Sequence, residues 1–157
     1  MIALTELDRK IISELQKELA ITAKPYAKIA AHLAISESEL LARITTMLES
    51  GVIRKIGAVL RHRLVGYSAN ALCVWKVPED KIIKIGEMFA ALPVVTHCYE
   101  RVTHAVWPYN LYTMVHATTR EECQNHITSM CRMSKINEYQ VFYSTQELKK
   151  ISMRYFD

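Results

Sequence analysis

The 157-residue chain contains few of the residues on which many recognisable sites depend. It has four glycines, four prolines and four cysteines, and no segment resembles a glycine-rich phosphate loop. Nucleophile elbows and paired catalytic carboxylates are also missing from the sequence. No two cysteines have Cys-x-x-Cys spacing, so a metal cluster is not predicted. The widely spaced cysteines are expected to be buried free thiols: Cys73, Cys98, Cys123 and Cys131.

Long apolar runs are missing as well. No run approaches the roughly 20 residues that a membrane helix needs, although half of the residues are hydrophobic. The N-terminus lacks a basic region followed by an apolar stretch, so a cytoplasmic location without membrane association is expected. There is no internal repeat. The length suits one ordinary domain or two small ones.

Charge is distributed unevenly along the chain. Residues 1–50 carry six lysines and arginines against seven acidic residues, whereas residues 51–157 carry fourteen against nine. The net charge of +4 therefore originates in the second part. This asymmetry predicts that the second part binds an anionic partner.

Residues 1–51 are predicted to form a helix-turn-helix domain. Apolar residues at helical spacing indicate a first helix from Thr5 to Leu19, with Thr5 and Asp8 able to cap it. A second helix is expected to begin near Pro25. A third should begin at the capping box of Ser36 and end at Gly51.

After residue 51 the hydrophobic period changes to that of strands. Residues 52–68 are interpreted as a linker strand, and residues 69–157 as a domain with the order β-α-β-β-α-β. The predicted fold class is therefore α+β, a helix-turn-helix followed by a ferredoxin-like domain. In this arrangement helices cover one face of the sheet, and the other face is left for a partner subunit.

The segment from His97 to His116 is the strongest candidate for a binding site. It reads as two strands joined by a loop that is rich in ring side chains and unusually long for a hairpin. Alternation places His97, Tyr99 and Arg101 on one face of the first strand. It places Tyr112, Met114 and His116 on one face of the second strand. An ordinary edge hairpin is the competing interpretation.

The helix-turn-helix alone would suggest a DNA-binding regulator that senses a small ligand. However, the helix that would read DNA carries three glutamates and a single arginine, Arg43. Phosphate contacts supply much of the affinity for DNA and require cations. DNA binding is therefore the less favoured alternative.

A compact cationic run, Arg61-His62-Arg63, lies near the end of the linker. A solvated surface strand is the simplest interpretation. Alternation would place the two arginines on one face and His62 on the other. His62 would then be either a satisfied core residue or a proton donor in a dry cavity.

Together these elements resemble the Lrp/AsnC family, and particular motifs resemble its sirohaem decarboxylase branch. The resemblance covers nearly the whole chain, and the run from Trp107 to His116 is its most specific part. The segment before that run differs among the family's subunit types, so the type of subunit stays open. The other matching motifs are residues 57–63, 66–67, 70–71, 75–78, 97–99 and 143–145.

The resemblance implies an enzyme that removes the C12 and C18 acetate carboxyl groups of sirohaem in alternative haem or haem d1 biosynthesis. It also implies a heterodimer of related subunits, AhbA and AhbB in the haem pathway, with the active site between their ligand-binding domains. No added cofactor is expected, because the substrate brings its own iron. A copurifying haem, or a carrier without catalysis, is also compatible with the resemblance.

Decarboxylation of an acetate on an aromatic macrocycle needs a proton donor, and the candidates are His62, His116 and His97. The carboxylates of sirohaem need cations, and its faces need rings or methionine. The predicted substrate-binding residues are Arg61, Arg63, Arg101, Trp107, Tyr109, Asn110, Tyr112 and Met114.

Overall fold

The computed structural model describes residues 3–58, 66–149 and 151–156. The chain forms two compact units: Met1–Ala58 with Lys149–Asp157, and Val59–Leu148. The first contains three helices and the second a four-stranded antiparallel sheet with helices. The predicted fold class is confirmed.

The first unit consists of helices α1 (Glu6–Leu15), α2 (Pro25–His32) and α3 (Glu37–Glu49). Their apolar stripes meet in one small core. A short connection between α2 and α3 gives the helix-turn-helix geometry. The core consists of Ile11, Ile29, Ala30, Leu40, Ile44 and Met47.

Polar contacts at the start of α1 also tie it to α3. The Thr5 hydroxyl donates to Asp8 Oδ2 at 2.6 Å and accepts from the Asp8 backbone N–H at 3.2 Å. Arg43 in α3 donates to the other carboxylate oxygen at 3.0 Å. The hydrogen bonds from Thr5, followed by Arg43, hold the pKa of Asp8 below its ordinary value of 3.8.

The first helix ends earlier than predicted. It stops at Leu15, and the Gln16 N–H bonds to Ser13 and Ile12 carbonyls in a tightened last turn. Leu19 was expected to continue the apolar stripe, but it is 44% exposed. Leu19 is therefore not part of the core of this unit.

The chain beyond α3 differs from the predicted linker strand. Residues 52–58 contain no strand, and residues 59–65 lie outside the described residues. The Ile53 N–H donates back to the Met47 carbonyl at 2.9 Å. This bond uses a main-chain donor to close α3 rather than to begin a ladder.

The C-terminal segment packs on the first unit, although the prediction placed it in the second domain. The side-chain amide of Gln16 pairs with the Tyr155 backbone, accepting at 2.8 Å and donating at 2.9 Å. The Arg9 guanidinium lies 5.7 Å from the centre of the Phe156 ring.

The second unit follows the predicted order. It comprises β1 (Ala69–Trp75), α4 (Ile82–Ala90), β2 (Val95–Glu100), β3 (Leu111–Ala117), α5 (Arg120–Ser134) and β4 (Tyr139–Tyr143). The sheet order is β2-β3-β1-β4, and every neighbouring pair is antiparallel. This is the ferredoxin-like topology.

Both helices of the second unit pack on one face of the sheet. Alternate strand residues such as Cys73, Trp75 and Val115 are fully buried beneath them. The Trp75 ring lies 4.8 Å from Phe89 and 5.1 Å from Tyr139, and its N–H donates to Thr113 Oγ1 at 2.9 Å. The helix-covered face is therefore a well-packed core.

The cysteines occupy this same side of the sheet. All four are free thiols, and Cys73 and Cys123 are buried while Cys98 and Cys131 are half-buried. Burial raises the pKa of each thiol. They are packing residues, as the sequence predicts for free thiols, although two are less buried than expected.

Asn110 connects the start of β3 to the chain that follows β1. Its amide nitrogen donates to the Val77 carbonyl at 2.7 Å, and its amide oxygen accepts from the Val77 N–H at 2.8 Å. Asn110 is only 8% exposed and Val77 only 3%. The side chain, predicted to bind substrate, thus satisfies two buried backbone groups.

We expect Thr5→Ala to lower the free energy of unfolding of the first unit by about 1 kcal/mol, the usual value of an N-cap. Hydrogen exchange of α1 amides measures this loss. Exposed Thr45→Ala in α3 is the control, and an equal loss there would contradict the capping role.

Because folding depresses the pKa of Asp8, the contribution of Asp8 to the free energy of unfolding is complete above the unfolded-state pKa. This contribution disappears as pH falls through the folded-state pKa. Wild type and Asp8→Asn should therefore converge in stability at acid pH.

We expect Asn110→Ala to lower the free energy of unfolding by about 2–3 kcal/mol, because two buried backbone groups of Val77 lose their partners. Urea denaturation followed by circular dichroism measures this change. Asn125→Ala, an exposed position on α5, should change stability by less than about 0.5 kcal/mol. Equal losses in the two variants would show that the Asn110 pairing contributes nothing.

Candidate functional site

The face of the sheet opposite α4 and α5 carries the residues of chemical interest. In the register, Tyr99 lies opposite Tyr112 and His97 lies opposite Met114. These four side chains, with Leu72 and Arg101, line a cavity of about 520 Å³. The sequence predicted the grouping within each strand, and the register shows in addition that the two groups lie on the same face of the sheet.

Arg101 extends this face beyond the end of β2. The backbone N–H of Arg101 donates to the Asn110 carbonyl at 2.8 Å, and this bond continues the pairing with the chain before β3. The guanidinium lies 5.3 Å from the centre of the Tyr112 ring and 6.0 Å from that of Tyr99. Rings that contact a guanidinium face leave its N–H edge available for a carboxylate.

The loop between β2 and β3 folds back towards the sheet. Backbone bonds of 3.1 and 2.9 Å join His104 and Trp107 in both directions. The Trp107 indole N–H donates to the Tyr112 hydroxyl at 2.6 Å, and that hydroxyl donates to the Tyr109 carbonyl at 3.3 Å. The Trp107 and Tyr109 rings meet edge to face at 4.9 Å. The predicted long loop is therefore an ordered aromatic cluster beside the cavity.

An irregularity in β2 adds a residue that the sequence analysis missed. The register shifts between Val95 and His97, so Thr96 is an extra residue in a β-bulge. Its hydroxyl lies 2.9 Å from His97 Nδ1 and 2.8 Å from His116 Nε2. Simple alternation would place Thr96 on the face opposite His97, and no pattern in the sequence reveals the bulge.

Asn70 contributes a buried polar atom to the same face. It pairs with His116 across β1 and β3. The Asn70 Oδ1 atom is buried and has no hydrogen-bond partner among the described residues. A buried acceptor without a partner requires an explanation, and a donor on a bound ligand would supply one.

The remaining candidates are of two kinds, those outside the described residues and those inside them. Arg61, His62 and Arg63 lie outside the described residues. Asn110 points into the fold, as described above. Tyr143, which lies in a motif shared with the family, faces the helices, since its hydroxyl donates to the Arg120 carbonyl at 3.4 Å. Its neighbour Phe142 instead lies on the open face, 6.2 Å from the Trp107 ring.

The first unit offers a different kind of surface. The glutamates of α3 are Glu37, Glu39 and Glu49, and its single cation, Arg43, is held by Asp8 at 3.0 Å and by Glu39 at 3.1 Å. A cation that is already paired with two carboxylates is poorly disposed to contact phosphate. The electrostatics of α3 therefore do not favour DNA.

The residues that the structure describes were expected to offer neither a metal site nor a membrane span. Among them, no group of three histidine, cysteine or acidic side chains is arranged to hold a metal ion. No helix in that part of the chain is long and apolar enough to cross a membrane.

Comparison with family models agrees with this division of the chain. Residues 8–54 match a model described as "Siroheme decarboxylase NirDL-like HTH domain". Residues 64–149 match a model described as "AsnC-like ligand binding domain".

Individual proteins similar to this chain are also siroheme decarboxylases. The siroheme decarboxylase beta subunit of Methanosarcina barkeri is 40% identical over 94% of this chain and 97% of its own length. The crystal structure of the siroheme decarboxylase NirDL in complex with an iron-uroporphyrin III analogue superposes with a TM-score of 0.69 and 35% identity. The match covers 99% of this chain but only 48% of that one.

The structure of AsnC from E. coli is also similar, with a TM-score of 0.78 and 18% identity over 98% of this chain and 99% of that one. At this identity the likeness concerns the fold alone. The agreement in sequence with siroheme decarboxylase subunits over nearly their whole length is more specific. The chain therefore belongs to the siroheme decarboxylase family, whose members combine a helix-turn-helix unit with an AsnC-like ligand-binding domain.

Proposed function

We propose that this chain is a subunit of a sirohaem decarboxylase, a carboxy-lyase. It would remove the C12 and C18 acetate carboxyl groups of sirohaem to give 12,18-didecarboxysirohaem, in alternative haem or haem d1 biosynthesis. The observation that carries the proposal is the open sheet face, which combines two histidines, Arg101 and a group of aromatic rings beside one cavity.

The chemistry of this face matches a flat, polyanionic macrocycle. Tyr99, Tyr112 and Met114 offer apolar surfaces for the plane of the ring. Arg101 offers paired N–H donors for a peripheral carboxylate. The relative that was crystallised with an iron-uroporphyrin III analogue binds a macrocycle of this class, which supports the same use here.

The proposal includes a homologous second subunit, in an AhbA/AhbB-type heterodimer. The match to about half of the NirDL chain leaves room for a second unit of the same kind, and other relatives are named as beta subunits. Tyr99 is 54% exposed, and Val102 and Val106 in the neighbouring loop are 84% and 92% exposed. Apolar exposure of this extent beside a cavity suits a protein interface.

The reaction requires a proton at the carbon that loses its carboxylate. The carbon–carbon bond breaks, carbon dioxide leaves, and the electron pair ends in a C–H bond of the new methyl group. Protonation of the ring carbon next to the one that bears the acetate would provide an electron sink while the bond breaks. That ring carbon would lose its proton again when the methyl carbon is protonated, so the reaction consumes one proton in all. His97, His116 and His62 are the proposed proton donors, and Arg61 and Arg63 are proposed to assist Arg101 in holding carboxylates.

No separate cofactor is part of the proposal, because iron enters with the substrate. The direct test is anaerobic incubation of sirohaem with this chain, alone and with the homologous subunit, followed by mass spectrometry. Loss of two carboxyl groups as carbon dioxide is expected. Binding of sirohaem with no change in its mass would identify a carrier and would overturn the proposal.

We expect His97→Ala and His116→Ala each to lower the decarboxylation rate about 100-fold, within the range typical of general acids. Sirohaem affinity should remain within about threefold of wild type, since neither ring supplies the cation that binds carboxylate. Single-turnover rates and absorbance titrations separate the two effects. His126→Ala on α5 is the matched control. Wild-type rates in both His97→Ala and His116→Ala would exclude these two histidines as proton donors and leave His62 as the candidate.

We expect Arg101→Gln to weaken sirohaem binding about tenfold, which is the effect of losing about 1.4 kcal/mol from a charge-assisted hydrogen bond. The measurement is an anaerobic titration of the heterodimer at fixed ionic strength. Arg132→Gln removes an exposed arginine from the helix-covered side and should leave the dissociation constant unchanged. An Arg101 variant that binds as tightly as wild type would remove this residue from the site.

A further inference from the structure

The β-bulge in β2 places one hydroxyl between two imidazoles. Thr96 Oγ1 lies 2.9 Å from His97 Nδ1 and 2.8 Å from His116 Nε2, and both are hydrogen-bond distances. Without the bulge, Thr96 and His97 would point to opposite faces because strand residues alternate. The bulge brings neighbouring residues to one side and completes a chain of three side chains.

The hydroxyl imposes a direction on this chain. It carries one proton, so it can donate to only one of the two ring nitrogens. The other nitrogen must then carry a proton of its own and donate to the hydroxyl oxygen. Moving the hydroxyl proton to one ring while the oxygen receives a proton from the other transfers one proton between the histidines.

We propose that Thr96 is a positioning residue that relays protons from His116 to His97. This inference rests on the proposed decarboxylase function and deepens it, because it assigns an order to the two candidate donors. Thr96 itself does not touch the reacting carbon. It acts by orienting both rings and by carrying the proton between them.

Exposure and position give the direction of transfer. His97 is exposed and lines the cavity, so it is the ring that meets the substrate. His116 is half-buried on β3, an inner strand of the sheet, and does not line that cavity. His116 therefore acts as the proton reservoir, and His97 acts as the final donor.

The relay accounts for every proton and electron pair in the decarboxylation. His116 begins as the cation and donates from Nε2 to Thr96, while the Thr96 hydroxyl donates to His97 Nδ1. The proton on His97 Nε2 goes to the substrate. The Thr96 hydroxyl proton then passes to His97 Nδ1, and the proton on His116 Nε2 passes to the Thr96 oxygen. Carbon dioxide leaves, the electron pair of the broken carbon–carbon bond ends in the new C–H bond, His116 has lost its charge, and His97 is again neutral.

Two substitutions separate the hydroxyl from the shape of the side chain. Thr96→Val keeps the branched shape that suits an extended strand but removes the proton-carrying group. Thr96→Ser keeps the hydroxyl and removes a methyl group. A purely structural role predicts that valine substitutes at least as well as serine, whereas the relay predicts the reverse.

The first test uses nitrogen-15 NMR of histidine-labelled protein, with His97→Gln and His116→Gln used to assign the signals. In wild-type protein with both rings neutral, one of the two nitrogens that face Thr96, His97 Nδ1 and His116 Nε2, should carry a proton and the other should not. Thr96→Ser should keep this complementary pattern, and Thr96→Val should abolish it. Protonation of both nitrogens, or an unchanged pattern in Thr96→Val, would overturn the relay.

The second test measures decarboxylation and sirohaem affinity of the heterodimer. Thr96→Val should lower the rate at saturating sirohaem about tenfold or more, with an unchanged dissociation constant, and Thr96→Ser should restore at least half of the rate. Thr128→Val on α5 is the control. Equal rates for wild type and Thr96→Val would overturn the relay but leave the proposed function intact. If wild type itself does not decarboxylate sirohaem, the proposed function and the catalytic role of the relay both fail.

Discussion

The register between β2 and β3 determines which chemical groups the second unit can present to a ligand. Two helices cover one face of the sheet, so every strand residue belongs either to the core or to the open face. Pairing Tyr99 with Tyr112 and His97 with Met114 collects the rings and the imidazole on the open side. A shift of one residue would reverse the faces of a strand and bury these polar groups under the helices. Core packing thus protects the arrangement of the candidate site.

Residues that maintain the fold and residues that face the cavity are separated by this same constraint. The buried bond between Trp75 and Thr113 and the pairing of Asn110 with Val77 lie within the fold. They satisfy polar groups that would otherwise be buried without partners. The open face can therefore carry exposed rings, a cation and histidines without exposing the core. A polar residue next to a candidate site can also have a structural role, as Asn110 illustrates.

Hydrophobic periodicity was sufficient to predict the order of the elements, the shared face of His97 and Tyr99 in β2, and the shared face of Tyr112 and Met114 in β3. These predictions succeeded because helices and strands impose different spacings on buried residues. The position of Thr96 could not be predicted, since a bulge depends on local backbone pairing rather than on alternation. The partners of Asn110 are backbone groups, which leave no trace in side-chain identity. The early end of α1 and the docking of Tyr155 on Gln16 depend equally on contacts between distant parts of the chain.

Water is the last constraint on the proposed chemistry. Loss of carbon dioxide removes a negative charge, so a carboxylate reacts more readily where water does not stabilise it. The open face alone does not exclude water, because Tyr99 is about half exposed and His97 is exposed. The dry environment that the proposed reaction favours must therefore come from a surface laid over this face. In the proposed heterodimer, a homologous subunit with its own open sheet face would supply such a surface, and heterodimer formation would then be part of the chemistry as well as of the assembly.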